Sequence, residues 1–283
     1  MQNYAKTQKA VLWIVFALFA LYSFTLLYPF LWAGLNSFKN MDDYTYNVNG
    51  IPQLGWHFDN YEKALDLMKI GSVGFFGMFS NSIMYTLLGT LFQVFSASLS
   101  SYIVAKYDFK LRDFVYGLAL FVMIIPSIGS LPAQFRLIHD LHLNNIFGLA
   151  IVGASGFGTN FILLYAYFKA ISWEYAEAAT IDGASDWTVF VRIMLPQAKP
   201  ALAAMFITGA VGKWNDYMTP LLYLGQKTPV LSYAIYDLKL RVADRRTPIF
   251  LAANLLVTLP VVVVFSIFSK TIIENTVAGG LKG

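Results

Sequence analysis

Cysteine is absent from these 283 residues, which excludes disulfides, thiolate metal sites and cysteine nucleophiles. Charge is scarce: Asp, Glu, Lys and Arg supply 13% of the chain, about half the share of an ordinary soluble domain. No phosphate loop of the form Gly-x4-Gly-Lys-Ser/Thr is present. Gly212-Lys213 is followed by Trp214 inside an apolar stretch, so the chain does not bind and hydrolyse ATP by itself. No Ser-His-Asp constellation is visible, which leaves a membrane enzyme without a nucleophile. His139 and His142 stand three apart without a carboxylate or thiol partner in register, a weak basis for a metal site. The net charge of +4 gives no reason to invoke nucleic acid. Strand alternation, heptads and low-complexity tracts are missing too. No cleavable signal peptide is expected, because the first apolar run is too long and lacks a small-x-small end.

What is present is apolar. Hydrophobic residues make up 57% of the chain and the mean hydropathy is +0.57. A chain this long could bury a soluble core, yet it lacks the charge to keep a surface in water, so it reads as an integral membrane protein. The 24 Phe, 17 Tyr and 6 Trp suit interfacial belts. Uncharged stretches at 10–38, 70–105, 114–135, 141–168 and 247–269 each exceed the ~20 residues needed to cross a hydrocarbon core about 30 Å thick. A sixth, about 201–224, is interrupted by Lys213 and Asp216. The spans are expected at about 10–34, 79–104, 113–134, 146–169, 201–224 and 247–272. Lys and Arg divide almost evenly between the two sides, so charge bias alone does not orient the chain. Two long connections, about 39–78 and 170–199, fall on opposite sides, being separated by three spans.

The second of these is the most informative stretch. Ser172 can cap a helix with acidic Glu174 in its first turn. Residues 173–182 are good helix formers, and Gly183 ends the helix as a C′ glycine does. Asp186 or Ser185 can cap a second short helix running to Met194, and Pro196 and Pro200 set up the next span. The result is a helix–turn–helix on the membrane face whose small residues allow close approach of another protein.

The pattern Glu177-Ala178-Ala179, Gly183 four residues later, then Ile193 and Leu195-Pro196, resembles the EAA motif of ABC importer permeases. The fuller string with Ile181-Asp182-Gly183-Ala184 and Lys199-Pro200 resembles the carbohydrate-uptake, maltose-type branch. Ser101–Phe109, Leu141–Asn145 with Gly148, and Trp214-Asn215-Asp216 extend the likeness over nearly the whole chain. The tail Gly279–Gly283, including Gly280 and Lys282, is similar to a C-terminal end that reaches the ATPase, although Glu274-Asn275-Thr276 departs from the apolar pattern.

The resemblance implies an all-α integral membrane fold, a single transmembrane domain over 1–283 with six transmembrane helices and the type I importer arrangement. It implies that the cytoplasmic loop 170–199 couples to a separate ATPase through Glu177, Ala178, Ala179, Asp182, Gly183, Leu195 and Pro196. No cofactor is implied in this chain, since ATP and Mg belong to the ATPase. The implied partners are a second homologous permease, two ATP-binding subunits and an extracytoplasmic solute-binding protein facing about 225–247. The implied location is the bacterial inner membrane, with both termini cytoplasmic, and the implied cargo an oligosaccharide or sugar derivative. A permease for another solute, such as a glycerol phosphate, and a proton-coupled secondary carrier stay open. The carrier would need an intramembrane acid, and Asp216 is the one good candidate.

Around Asp216, the segment Lys213, Trp214, Asn215, Asp216 and Tyr217 forms a polar patch inside the fifth expected span. Each charge costs about 2.5–3.5 kcal/mol at the centre of a membrane helix on insertion scales. Lys213 and Asp216, three apart, could pair on one helical face, either to fix packing or to line a path. Asn81, Gln93, Gln134 and Asn254 are further polar residues in or near spans.

Overall fold

The computed structural model describes residues 2–125, 129–242 and 245–280, with side chains at 2–7, 10, 265 and 268–280 outside the description. The described residues are helical, without a sheet. In chain order the helices are α1 (Gln2–Ser37), α2 (Met41–Tyr46), α3 (Asp59–Leu67), α4 (Phe75–Lys106), α5 (Arg112–Ile124), α6 (Leu131–Asp140) and α7 (Ile146–Val152). They continue with α8 (Thr159–Ala170), α9 (Glu174–Ile181), α10 (Asp186–Val189), α11 (Leu195–Gln197), α12 (Lys199–Asn215), α13 (Leu231–Val242) and α14 (Thr247–Gly280). Wider π-helical turns occupy Phe190–Met194 and Pro220–Leu224.

Two compact units are built from interleaved segments: Met1–Met68 with Asp237–Thr258, and Lys69–Tyr236 with Leu259–Gly283. Among the described residues three helical stretches are long and apolar enough to cross a membrane: Val11–Ser37, Phe75–Lys106 and Thr247–Val264. The other three expected spans fall on shorter helices. Residues 113–134 fall on α5 and α6, 146–169 on α7 and α8, and 201–224 on α12 and the π turn that follows it.

In the first unit the apolar residues of α1 from Val11 to Leu31 are exposed, as lipid or another chain would have them. A polar knot follows. Lys39 is fully buried and donates to the Asn47 carbonyl. The Asp43 carboxylate accepts from the Gln53 amide at 2.7 Å, the Leu54 amide at 3.2 Å and the Asn47 side chain at 3.1 Å. Burial alone would raise the Asp43 pKa, but these donors, with Lys39 nearby, hold it below the usual carboxylate range.

The second unit is organised around α4, a single helix of 32 residues packed against α7, α8 and α12. Its neighbours are broken, and α4 repairs the breaks. Between α7 and α8 the chain leaves helical geometry, and Ser96 Oγ donates to the Ala154 carbonyl at 2.8 Å while Ser100 Oγ donates to that of Gly156. Asn81 donates to the Pro229 carbonyl at 2.9 Å, and Ser82 Oγ accepts from the Leu231 amide at 2.8 Å. Backbone groups freed at membrane depth must find partners inside the protein, because hydrocarbon offers none. Asn81 therefore has a structural task. Asn254 bonds the Phe250 carbonyl of its own helix.

Candidate functional site

The loop 170–199 is a helix–turn–helix seated on the end of α4. α9 starts at Glu174, one residue later than a Ser172 cap would place it; Ser172 Oγ accepts from the Glu174 amide at 3.3 Å in a tighter local turn. Its other end closes as the glycine requires. Gly183 has φ +84°, the Ala184 amide bonds the Ala179 carbonyl at 2.9 Å, and the Gly183 amide bonds that of Thr180 at 3.0 Å. This is the Schellman arrangement, which a side chain at Gly183 would strain. Ser185, not Asp186, caps α10, accepting from the Thr188 amide at 3.3 Å.

A buried cluster fixes the loop. Ala176, Val189, Phe190, Met194 and Ala198 from the loop side pack with Val94, Ala97, Tyr102 and Ala105 of α4 and Leu164 and Phe168 of α8. Phe190 lies 4.9 Å from the Tyr102 ring. The opposite face is bare. Glu177, Ala178, Asp182 and Gly183 are exposed, while Ala179, Leu195 and Pro196 are half-buried and brace the turn. Beside them stand Tyr175 at 58% exposure and Ile181 at 86%, while Trp187, 57% exposed, lays its ring against Phe95 of α4 and Phe190. Ile181 stands at the tip of the turn, beside Asp182 and Gly183. Sequence reading passed over Tyr175 and Trp187; their spacing, six residues either side of Ile181, crosses the turn and so shows no helical period.

Tyr107, just beyond α4, touches both halves of the loop. Its hydroxyl donates to Asp186 Oδ1 at 2.9 Å, and its ring meets that of Trp173 edge-on at 5.7 Å. The Tyr102 hydroxyl lies 3.3 Å from that of Tyr107. Burial, then the bonds to Tyr102 and Asp186, push the Tyr107 phenol well above its ordinary pKa. The contact is formed between residues 79 positions apart and carries no local signature.

At the other half of α4 lies the polar patch. Lys213 and Asp216 do not form the ion pair that their spacing suggested. α12 ends at Asn215, and beyond Asp216, with φ −72° and ψ 107°, the chain leaves the helix. Asp216 instead accepts from the Tyr85 hydroxyl at 2.8 Å and the Thr219 amide at 3.1 Å. Lys213 Nζ sits 5.4 Å from the centre of the Tyr85 ring, its stem against Gly89. Tyr85, 2% exposed, thus serves both charges, a role that its position in an apolar run concealed. Trp214 meets Phe79 edge-on at 6.1 Å, and Tyr217 stacks on Tyr236 at 4.6 Å. Asn215 bonds the Val211 carbonyl of its own helix and is exposed. In the tail, Gly280 is the last residue of α14, and Lys282 lies outside the described residues.

Residues 96–275 match the family described as "binding-protein-dependent transport system inner membrane component". The chain is 30% identical to the arabinooligosaccharides transport system permease protein of Halalkalibacterium halodurans, covering 98% of this chain and 99% of the relative. It is 29% identical to the diacetylchitobiose uptake system permease protein of Streptomyces coelicolor, over 94% of this chain and 87% of that one. The melibiose/raffinose/stachyose import permease protein of Bacillus subtilis is 30% identical, over 80% and 81%. Among solved structures, a bacterial ABC transporter involved in the import of the acidic polysaccharide alginate superposes with a TM-score of 0.73 at 25% identity, covering 90% of this chain and 93% of that one.

Proposed function

Since the chain belongs to the family of binding-protein-dependent transport system inner membrane components, and is a permease subunit of an ABC importer, we propose that it carries carbohydrate, an oligosaccharide or sugar derivative, under the drive of a separate ATPase. The observation that carries the energetic half of this reading is the loop 170–199. It is anchored by Phe190 and Met194 at its base and bare at Ile181, with Gly183 holding a turn that only a residue free at positive φ adopts without strain. Relatives named for arabinooligosaccharides, diacetylchitobiose and melibiose/raffinose/stachyose support the cargo.

In this reading six spans, three of them made of broken helices, form half of the pathway, and a second permease forms the other half. Two ATPase subunits receive the coupling loops, which lie with both termini in the cytoplasm. An extracytoplasmic binding protein delivers solute on the opposite side; a crystal structure of the alginate transporter includes its periplasmic protein. ATP closure draws the loops together and the spans rock between two arrangements. Asp216, held by Tyr85 and Thr219, is built as a packing element, which weighs against a proton carrier.

The test uses the assembled transporter in proteoliposomes. Gly183→Trp forces a side chain onto the φ +84° turn and into the docking face; it should abolish uptake and stimulated ATP hydrolysis while membrane insertion stays intact. Normal uptake by this variant sinks the docking idea. Accumulation of glycerol phosphate, with no uptake from a panel of labelled oligosaccharides, overturns the carbohydrate cargo.

A further inference from the structure

Two consecutive residues at the end of α4 hold the beginning and the middle of the loop. Lys106 Nζ donates to the Ile171 carbonyl and lies 6.0 Å from the centre of the Trp173 ring. Tyr107 forms a T-shaped ring pair with Trp173 and presents its hydroxyl to Asp186, the first residue of α10. An ionised carboxylate only accepts, so the Tyr107 proton goes to Asp186, and the Tyr102 hydroxyl must then donate to the Tyr107 oxygen. The chain Tyr102→Tyr107→Asp186 therefore runs in one direction from the buried wall of α4 to the second helix of the loop. It is charge-assisted at its outer end, the stronger kind of hydrogen bond.

Apart from the Tyr167 hydroxyl of α8, which donates to the Gln197 carbonyl at 3.0 Å near the far end of the loop, the rest of the attachment is apolar. The cluster around Phe190 and Phe168 resists separation of the loop from α4 but sets no direction. A hydroxyl–carboxylate bond does, because it weakens steeply off axis. From this we infer that Tyr107 is a positioning residue for coupling: its clasp on Asp186 makes the loop and the end of α4 move as one piece, so that displacement of the loop by the ATPase reaches the span. The inference rests on the loop being the point of energy input.

The test exploits the absence of native cysteine. Glu174→Cys and Lys110→Cys, both at exposed positions, carry a spin-label pair across the clasp, and Phe76→Cys, 77% exposed at the far end of α4, carries an environment-sensitive dye. The assembled transporter is measured without nucleotide and after trapping with ATP, Mg and vanadate. With the native clasp, the pair distance should be narrow and the same in both states, and the dye should respond to trapping. Tyr107→Phe keeps the ring and removes the hydroxyl with both its bonds; it should broaden the pair distance and cut the dye response by about tenfold, the scale of the lost bond to the Asp186 carboxylate, while ATP hydrolysis continues.

Asp186→Ala should reproduce that result, and Asp186→Asn, which still offers an acceptor oxygen, should restore the narrow distance. A Tyr107→Phe transporter with a narrow pair distance and a full dye response overturns the inference. So does an Asp186→Asn variant as loose as Asp186→Ala, and these two remain decisive if Tyr107→Phe fails to assemble. The pair distance without nucleotide reads the clasp alone, whereas failure of the docking reading appears in Gly183→Trp, so the two are separable.

Discussion

The loop at one end of α4 and the polar patch near its other end are built by opposite means. Short-range devices shape the loop: a glycine at positive φ, a serine cap three residues before the amide it serves, and alanines that pack where larger residues would not fit. Contacts between residues distant in sequence make the patch: Tyr85 to Asp216 across 131 positions and Ser82 to Leu231 across 149. The first kind of site survives as a motif because its parts are adjacent. The second has no motif, because the partner of each group is set by how helices pack.

The sharpest way to break this contrast is at the loop itself. Phe190→Ala should cost about 3–5 kcal/mol, the usual range for emptying a fully buried aromatic site, and should release the loop from α4. Ile181→Ser, at 86% exposure, should leave thermal stability within about 0.5 kcal/mol yet lower ATPase association severely. Equal loss of stability in both variants, by thermal unfolding in detergent, would mean that the bare face is part of the fold.

Smaller effects are expected at the patch. Tyr85→Phe removes one hydrogen bond to a charged, partly exposed partner and should cost about 1–2 kcal/mol. Asp216→Leu should cost a similar amount and change uptake only as far as stability changes, because its carboxylate is occupied by Tyr85 and Thr219. Altered solute affinity with unchanged stability would return Asp216 to the pathway. The smallest effect should come from Gly89→Ala. A Cβ there would meet Lys213 Cε at 3.3 Å, the flexible part of a long side chain, so stability should move by less than about 1 kcal/mol. A larger loss would show Lys213 to be rigidly held.

These differences explain what was legible in the sequence. The membrane class followed from charge scarcity, and the loop from Gly183 and its flanking caps. α4 was visible as an uncharged run from 70 to 105. Pro126 with Gly129, and the glycines at 153, 156 and 158, do mark the interruptions between α5 and α6 and between α7 and α8, but they sit inside uncharged runs long enough to read as single spans, and it is the serines of α4 that make the break at 153–158 tolerable. The supposed Lys213–Asp216 pair failed for a related reason: a spacing of three permits a pair, but the Asp216 carboxylate is taken by the Thr219 amide and by the hydroxyl of Tyr85, 131 positions away. Tyr107 was read as part of a family likeness, and its partner 79 residues on could not be read at all.

One feature of α4 has a mechanical consequence. Its 32 residues extend about 48 Å at 1.5 Å per residue, without a break, among shorter and interrupted neighbours. Such a rod, pivoting near one end through about 5°, sweeps its far end through about 4 Å, most of a helical turn. Small strokes at Lys106 are thus enlarged at Phe75 without any helix having to bend, whereas the jointed segments beside it absorb the same stroke by flexing at their gaps.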